Sequence, residues 1–413
     1  MKKYYLVLLL VLAGSLAFAE TTDEKQERIL TIDEAIEKAV ASNSFFIAAE
    51  KQDEISKSLL RQARQNPSPE LKIGVDDYAG SGPYKKTSSM KSIIGVTQTI
   101  EMGNKRQKRI SLAKASRDVE LLKIDMVKKE LKLKVITAYF ELFRLSKELE
   151  IQNEATKLAE EAADTVNKKV AAGELPRIDA TRVNVEFSRE EAVRKHLELD
   201  VISAKNELAA LWNAKDFEYE SIDLDCESFS NMELAAPSDE LINESPEIRL
   251  AESQINVAKM EVNKARAEAN SDIDFSVTYN KYRESSEHAW GIEASFPLKG
   301  KSESGNISAA KHSYEAAKLE KEGIVSEFSV KISNAYREKE SLLKEVINIE
   351  TSLIPASKQA YQETKIAFES GEKSLLDLFG ARKTLLETSK LYLEIQCKLF
   401  NAIGEYAVLT NQY

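Results

Sequence analysis

The stretch 104–171 contains neither glycine nor proline. At 1.5 Å of rise per residue, it predicts one uninterrupted helix of roughly 100 Å. Apolar residues repeat along this helix at seven-residue spacing on two nearly opposite sides. The first seam comprises Leu112, Val119, Met126, Leu133 and Phe140 with Ala115, Leu122, Ile136 and Phe143, and it is broken only at Lys129; the second comprises Ile124, Leu131, Ala138 and Leu145 with Leu121, Val135, Leu142 and Leu149.

Two polar strips separate these seams. A helix in an ordinary bundle is apolar over one broad face, whereas two opposed seams indicate a helix held by a neighbour on each side. Such helices form a closed cylinder with water inside and outside. An ordinary helical bundle with a wide apolar face remains the alternative.

The long helix belongs to an internal duplication. Its residues recur about 200 positions later, at a spacing too long for a solenoid repeat. Ile110, Ala113, Lys134, Val135, Ala138 and Tyr139 return as Ile307, Ala310, Lys331, Ile332, Ala335 and Tyr336. We therefore divide the chain into a first repeat (20–212), a linker (213–244) and a second repeat (245–413). Each repeat is predicted to contain a helix, a strand pair, a long helix and a return helix.

Within this division, the strand pairs are expected at about 70–100 and 272–297. The long helices are expected at about 104–171 and 302–370, with a kink at Pro355. The strands alternate apolar and polar residues, which fits a lipid-facing, water-lined barrel and also an ordinary half-buried sheet. Because four strands cannot close a barrel around water, the barrel interpretation requires several chains.

The amino terminus has the pattern of a cleaved signal peptide over residues 1–19. Lys2 and Lys3 precede an apolar run, and Ala17-Phe18-Ala19 supplies the small residues of a cleavage site. No later run is long and apolar enough for a transmembrane helix, so any membrane span is expected to be a β-barrel. The net charge of −10 argues against nucleic-acid binding.

Residues for enzyme chemistry are sparse. The three histidines, His196, His288 and His312, lack zinc-ligand spacing, and the sequence has no nucleophile elbow or phosphate-binding glycine loop. We expect no catalytic activity, metal site or cofactor. Cys226 and Cys397 lie in unrelated contexts, and separate packing of the two thiols is favoured over a disulfide.

The whole mature chain resembles the TolC-like family of outer-membrane efflux proteins. The resemblance rests on the duplication, the strand pairs and two turns with matching spacing, which begin at Gly173 and Gly371 and reach Asp179 and Asp377. It implies a mainly α-helical fold with membrane β-structure: a homotrimer in which four strands per chain close a twelve-stranded outer-membrane barrel above long, coiled-coil-like periplasmic helices. It also implies docking on a periplasmic adaptor protein that serves an inner-membrane pump.

The same resemblance assigns roles at the helical tips. Gly173, Leu175, Gly371 and Ser374 match positions that meet the adaptor, and Asp377 and Lys373 fall at the periplasmic gate. A second gate aspartate of the family is replaced by Gly380 here. The alternative for Asp179 and Asp377 is that each simply caps a return helix.

Two further interpretations concern the subgroup of the family and a competing function. The stretch 99–106, with Glu101, Gly103, Lys105 and Arg106, resembles members that serve heavy-metal efflux pumps. A periplasmic coiled-coil interaction protein, such as the adaptor itself, is the competing function. An adaptor would carry one helical hairpin and glycine-rich domains, whereas this chain has two hairpins and 14 glycines.

Overall fold

The computed structural model describes residues 29–85, 87–223, 229, 232–297 and 303–413. The predicted signal peptide and Cys226 lie outside the described residues. In chain order the elements are β1 (Ile29–Leu30), α1 (Ile32–Ser42), α2 (Ser44–Ala63), β2 (Glu70–Asp76), β3 (Lys91–Ile100), α3 (Lys105–Ala171), α4 (Arg177–Ala210), β4 (Ser221–Ile222), α5 (Asp239–Asn243), α6 (Pro246–Glu268), β5 (Ile273–Tyr282), β6 (His288–Ser295), α7 (Glu303–Asn348), α8 (Ile354–Glu369) and α9 (Leu375–Leu409).

The long helix α3 is the axis of the fold. It runs unbroken for 67 residues and contacts α1, α2, α4, α6 and α9. Its middle is the most deeply buried part, with Val135, Phe140 and Leu142 fully enclosed. The Phe140 ring lies 4.9 Å from the rings of both Phe229 and Phe400, measured between centroids. This aromatic centre joins α3 to α9 and to the segment that follows β4.

Residues of both predicted seams are buried along α3. Val119, Leu122 and Ile136 of the first seam are buried, as are Leu131 and Leu142 of the second. Lys129 interrupts the first seam, and its ammonium group lies 2.7 Å from a Glu247 carboxylate oxygen on α6. It also donates to the Leu409 carbonyl. Burial lowers the pKa of Lys129 despite that partner. The seam therefore tolerates a lysine because a carboxylate and a carbonyl meet it there.

The four longer strands form one antiparallel sheet in the order β2-β3-β5-β6. Leu71, Val96, Val277 and Ile292 are paired across it in one row, and Ile73, Ile94, Tyr279 and Trp290 make the next. Most of these apolar side chains are exposed. The opposite face is polar, and the hydroxyl groups of Thr97 and Ser276 lie 2.7 Å apart. The sheet has the two-faced character expected of a barrel wall, with β2 and β6 as its edges.

Pro355 interrupts the second long helix in a specific way. The α-helical pattern of α7 gives way to a π-helical turn at Ile349–Leu353 before α8 resumes. Proline has no N–H to donate to the carbonyl four residues earlier, and a π turn shifts the hydrogen-bond register at that point. The predicted interruption thus takes the form of a π turn that begins six residues before Pro355.

The first two helices start at side chains that accept hydrogen bonds. Thr31 Oγ1 accepts from the Glu34 N–H at 3.3 Å, which begins α1. Asn43 ends α1, and its side-chain oxygen accepts from the N–H groups of Phe45 and Phe46, so α2 begins there.

Cys397 is a buried free thiol, and burial raises its pKa to about 12. Among the described residues, every helix falls short of the combined length and apolarity that crossing a membrane requires.

Close packing of α9 against α3 generates a stability prediction. A Cβ atom added at Gly404 meets Ile136 Cγ2 at 2.6 Å, whereas at Gly380, on the same helix, it meets nothing within 4 Å. We expect Gly404→Ala to lower the free energy of unfolding by about 1–3 kcal/mol through overpacking. Gly380→Ala should raise it by about 1 kcal/mol. Thermal unfolding of both variants checks this; equal effects would contradict the close contact.

Candidate gate and docking surface at the helical tips

The first tip is the turn between α3 and α4. Gly173 adopts a left-handed conformation with φ +78. Its N–H donates to the Val170 carbonyl, and the Glu174 N–H donates to the Lys169 carbonyl at 2.9 Å. These two bonds form a Schellman motif, which satisfies carbonyls at the end of a helix and favours glycine at this position. Pro176 then starts α4, where its fixed φ suits a helix beginning.

The second tip, between α8 and α9, repeats this geometry. Gly371 has φ +81. The Glu372 N–H donates to the Ala367 carbonyl at 2.8 Å, and the Gly371 N–H donates to the Phe368 carbonyl. A side chain added at either tip glycine would meet no atom within 4 Å. Both turns therefore present open surface at the end of their hairpin.

Asp377 caps the second return helix. The Ser374 N–H donates to Asp377 Oδ2 at 2.9 Å, and the Asp377 N–H donates to Ser374 Oγ at 3.2 Å, which completes a capping box. The Ser374 hydroxyl also donates to Asp377 Oδ2 at 2.7 Å. This bond, followed by the one from the Ser374 N–H and by the nearby charge of Lys373, holds the pKa of Asp377 below its ordinary value. The exposed carboxylate is therefore charged at neutral pH, and within one chain its role is that of a helix cap.

The two tips differ at the matching positions. Asp179 has no serine partner, because Pro176 occupies the cap position. Its carboxylate instead lies 3.6 Å from Arg182, one turn along α4. Lys373 and Ser374 of the second tip correspond to Leu175 and Pro176 of the first. The polar residues are thus concentrated at one tip and the apolar ones at the other.

An apolar contact joins the two hairpins just above the tips. The buried side chains of Ala163, Val166 and Val183 pack with Leu175 from the first tip and with Leu375 and Phe379 from α9. Beside this cluster runs an open groove of about 350 Å³ between α4 and α9. Its lining, which we call the tip groove, consists of Thr181, Arg182, Val185, Glu186, Leu375, Leu376 and Phe379.

A charged network lies above this groove, and it was not predicted from the sequence. Arg382 of α9 is buried, with a relative exposure of 5%. Its guanidinium group lies 3.0 Å from a Glu186 oxygen and 3.4 Å from a Glu190 oxygen, both on α4. Gln152 of α3 donates to Glu190 as well. Helices α3, α4 and α9 are therefore joined by ionic and hydrogen-bonded contacts at one level.

The network continues along α3 away from the tips. Lys390 of α9 donates to Gln152 and pairs with Glu148 at 3.2 Å. Arg144 then bridges Glu148 and Glu141 at 2.8 Å and 2.6 Å. Hydrogen bonding to Glu141 raises the pKa of Arg144, so its charge persists at any physiological pH. The sequence shows two glutamates one helical turn apart, Glu186 and Glu190, which could have indicated an ionic site. It does not show that Arg382, on a distant helix, is their partner.

Of the predicted site residues, the structure brings Leu175 and the start of α9 together through the apolar cluster. Gly173 and Gly371 occupy equivalent turns, and Ser374 and Asp377 are bonded to each other. Lys373 is exposed at the second turn. Within the described residues, no group of histidine, cysteine, aspartate or glutamate side chains is arranged to hold a metal ion.

These features define a class of protein: long helical hairpins with open tips at one end and a sheet with an apolar outer face at the other. The profile of the outer membrane efflux protein family matches residues 35–214 and 238–402. The chain belongs to that family, whose members are channels, and it is an outer-membrane exit duct of efflux systems.

Individual relatives agree with this assignment. The cobalt-zinc-cadmium resistance protein CzcC of Cupriavidus metallidurans is 22% identical over 90% of this chain and 88% of its own length. The CusC crystal structure matches with a TM-score of 0.80 at 15% identity, over 92% of this chain and 91% of that one. The open-state channel MtrE of Neisseria gonorrhoeae matches with a TM-score of 0.75 at 19% identity, over 92% and 88%. The predicted fold class is confirmed.

The buried position of Arg382 generates a second prediction. Arg382→Met leaves Glu186 and Glu190 without their cation, and removing one partner of a buried pair costs about 3 kcal/mol or more. Hydrogen exchange should become faster in both 177–190 and 375–390. The control is Lys383→Met, which removes an exposed pair with Glu387 worth less than about 1 kcal/mol. Exchange that is unchanged in 177–190 would show that Arg382 does not join the hairpins.

Proposed function

We propose that this chain forms a homotrimeric duct through which substrate passes passively from an inner-membrane pump, across the periplasm and the outer membrane. The main support for this proposal is the arrangement of the two ends of the long helices. One end bears two open tips, and the other bears a sheet with an exposed apolar face. Three chains would supply twelve strands, enough to close a barrel around water. Cleavage of residues 1–19 on export is part of the proposal.

The tips are proposed to dock on a periplasmic adaptor. Gly173 and Gly371 present backbone with open space around it, and the neighbouring tip groove is largely apolar, with Val185 and Leu376 exposed. Apolar grooves of this kind accept the apolar face of a helix. Leu175 lies two residues after Gly173 and Ser374 three residues after Gly371, and both residues are part of the proposed docking surface. The competing adaptor function has no comparable use for an exposed apolar sheet.

The gate is proposed to lie at the second tip, where Asp377 and Lys373 carry charge. Around a threefold axis, the three Asp377 carboxylates would ring the periplasmic mouth. Their capping bonds to Ser374 fix the first turn of α9, so the ring would be held in place by the helix start itself. An acidic ring on an acidic chain favours the passage of cations.

The proposed cargo is a divalent metal cation. The support is the likeness to a cobalt-zinc-cadmium resistance protein over most of the chain, together with the Glu101-to-Arg106 stretch. In the structure, Glu101 pairs with Arg109, and Lys105 lies 2.7 Å from Asp272. These ion pairs support a structural role for that stretch at the junction between β3 and α3. Selection of the cargo belongs to the pump.

Substitution at the proposed gate tests whether Asp377 acts as a gate residue or only as a helix cap. We expect Asp377→Ala to raise the single-channel conductance in planar bilayers, because it removes side-chain bulk from the proposed ring at the periplasmic mouth. Ser374→Ala is the matched control, since it removes the hydroxyl of the capping box but keeps the carboxylate and the backbone N–H that donates to it; its conductance should stay close to that of the wild type. An unchanged Asp377→Ala channel, or an equal rise in both variants, would mean that Asp377 acts only as a cap.

Substitution at the tips tests docking and cargo together. In a deletion strain, the wild-type gene should restore resistance to cobalt, zinc and cadmium. Gly173→Asn and Gly371→Asn keep the turn, because asparagine tolerates left-handed backbone, but add a side chain where an adaptor would approach. We expect resistance to fall to the level of the deletion strain while heat-resistant trimers persist.

The matched control for that experiment is Gly323→Asn, which adds the same side chain on an open surface of α7 away from the tips. It should retain full resistance. Retained resistance in both tip variants would remove the tips from the docking proposal. Failure of the wild-type gene to restore any metal resistance would overturn the cargo, and the docking proposal would then be tested with other exported substrates.

A further inference from the structure

Three exposed arginines lie together where the helices meet the sheet. Arg61 and Arg64 are at the end of α2, and Arg106 is in the first turn of α3. Arg106 Nε donates to the Arg64 carbonyl at 2.7 Å, which joins the two helix ends. Arg61 donates to Ser58 Oγ at 2.9 Å. We call these three residues the arginine cluster, and these bonds hold two of its guanidinium groups in place.

The arginine cluster carries uncompensated charge. Across the described ranges, none of its three side chains forms an ion pair, although neighbouring cations do: Lys57 pairs with Asp53, and Arg117 pairs with the same carboxylate. The chain as a whole is acidic, with a net charge of −10. Even in this acidic chain, none of the three guanidinium groups has a carboxylate of the described residues within ion-pair distance.

The cluster lies beside the linker that joins α2 to the sheet. Arg109 donates to the carbonyls of Ala63 and Gln65, just after α2, and Gln98 of β3 donates to the Pro67 carbonyl. These bonds hold the linker from α2 to β2 against the start of α3 and the end of β3. The exposed apolar residues Leu71, Ile100 and Met102 lie at this same end of the sheet.

Arginine guanidinium groups bind phosphate oxygens in a planar, bidentate manner. A phospholipid carries a charged phosphate next to apolar acyl chains. The phosphate would meet the arginine cluster, and the acyl chains would meet the apolar residues of the sheet. We propose that the arginine cluster binds the headgroup phosphate of an anionic phospholipid in the periplasmic leaflet. A free phosphate ion could use the guanidinium groups but would leave the adjoining apolar residues uncovered.

This lipid site goes beyond the duct function and rests only on the membrane placement of the sheet. The tips, the gate and the Arg382 network are distant in sequence from the cluster and are unchanged in the variants below. Metal resistance and lipid binding can therefore fail independently, and the two proposals are tested by separate readouts.

The test is native mass spectrometry of the detergent-solubilised assembly with phosphatidylglycerol, and with phosphatidylcholine of the same acyl chains. The wild type should bind phosphatidylglycerol in preference. Each basic residue near an anionic surface contributes a gain of roughly fivefold, so the triple variant Arg61→Gln, Arg64→Gln, Arg106→Gln should bind on the order of 100-fold more weakly. High salt should produce a similar loss in the wild type.

The matched control is Lys157→Gln, Lys358→Gln, Lys365→Gln. It makes the same change in net charge at exposed lysines on α3 and α8, which within the described residues form no ion pair. This control should bind like the wild type. Undiminished binding in the arginine variant, or an equal loss in the lysine control, would overturn the proposal. Displacement of the lipid by millimolar inorganic phosphate would identify the site as one for free anions and would also overturn it.

Discussion

The burial of α3 on several sides at once is the constraint on which the rest of the structure depends. A helix of 67 residues cannot be stable in water by propensity alone and needs apolar partners along its length. Its middle meets α1, α4 and α9 around Phe140, and its ends meet α2 and the tip cluster. Because α4 and α9 are themselves long and pack along α3, the chain is drawn out into hairpins, with the sheet at one end and the turns at the other.

Much of this architecture could be predicted from the sequence, because it depends on the local periodicity of apolar residues. The seven-residue columns fixed the faces of α3, and residues 104–171 closely match the observed Lys105–Ala171. Gly173 and Gly371 were recognisable because a left-handed helix end strongly favours glycine. The alternation in the strands predicted two unlike faces, and the register places Leu71, Val96, Val277 and Ile292 in a single row.

The features that escaped prediction are contacts between distant charged residues. Lys129 looked like a flaw in a seam, and only the arrival of Glu247 from α6 explains it. Arg382 resembled any other cation on a helix surface until α4 placed Glu186 and Glu190 beside it. Sequence periodicity states which side of a helix is apolar, but it does not state which helix will meet that side. The side-chain partners named here are 118 to 196 positions apart, and they depend on that second fact.

The two hairpins share one plan and differ in how firmly each is held. The first consists of α3, which is continuous, and α4, which starts at a rigid proline and contacts α3 throughout. In the second, α8 is separated from α7 by the π turn, and Ser357 is its only buried residue among those described. Its partner α9 is bound to the first hairpin through Arg382 and Phe379. The second hairpin therefore contains a helix, α8, that has little packing of its own within one chain. The two hairpins are similar in plan, and they differ at Pro176, Ser374 and Pro355 in how their helices begin and continue.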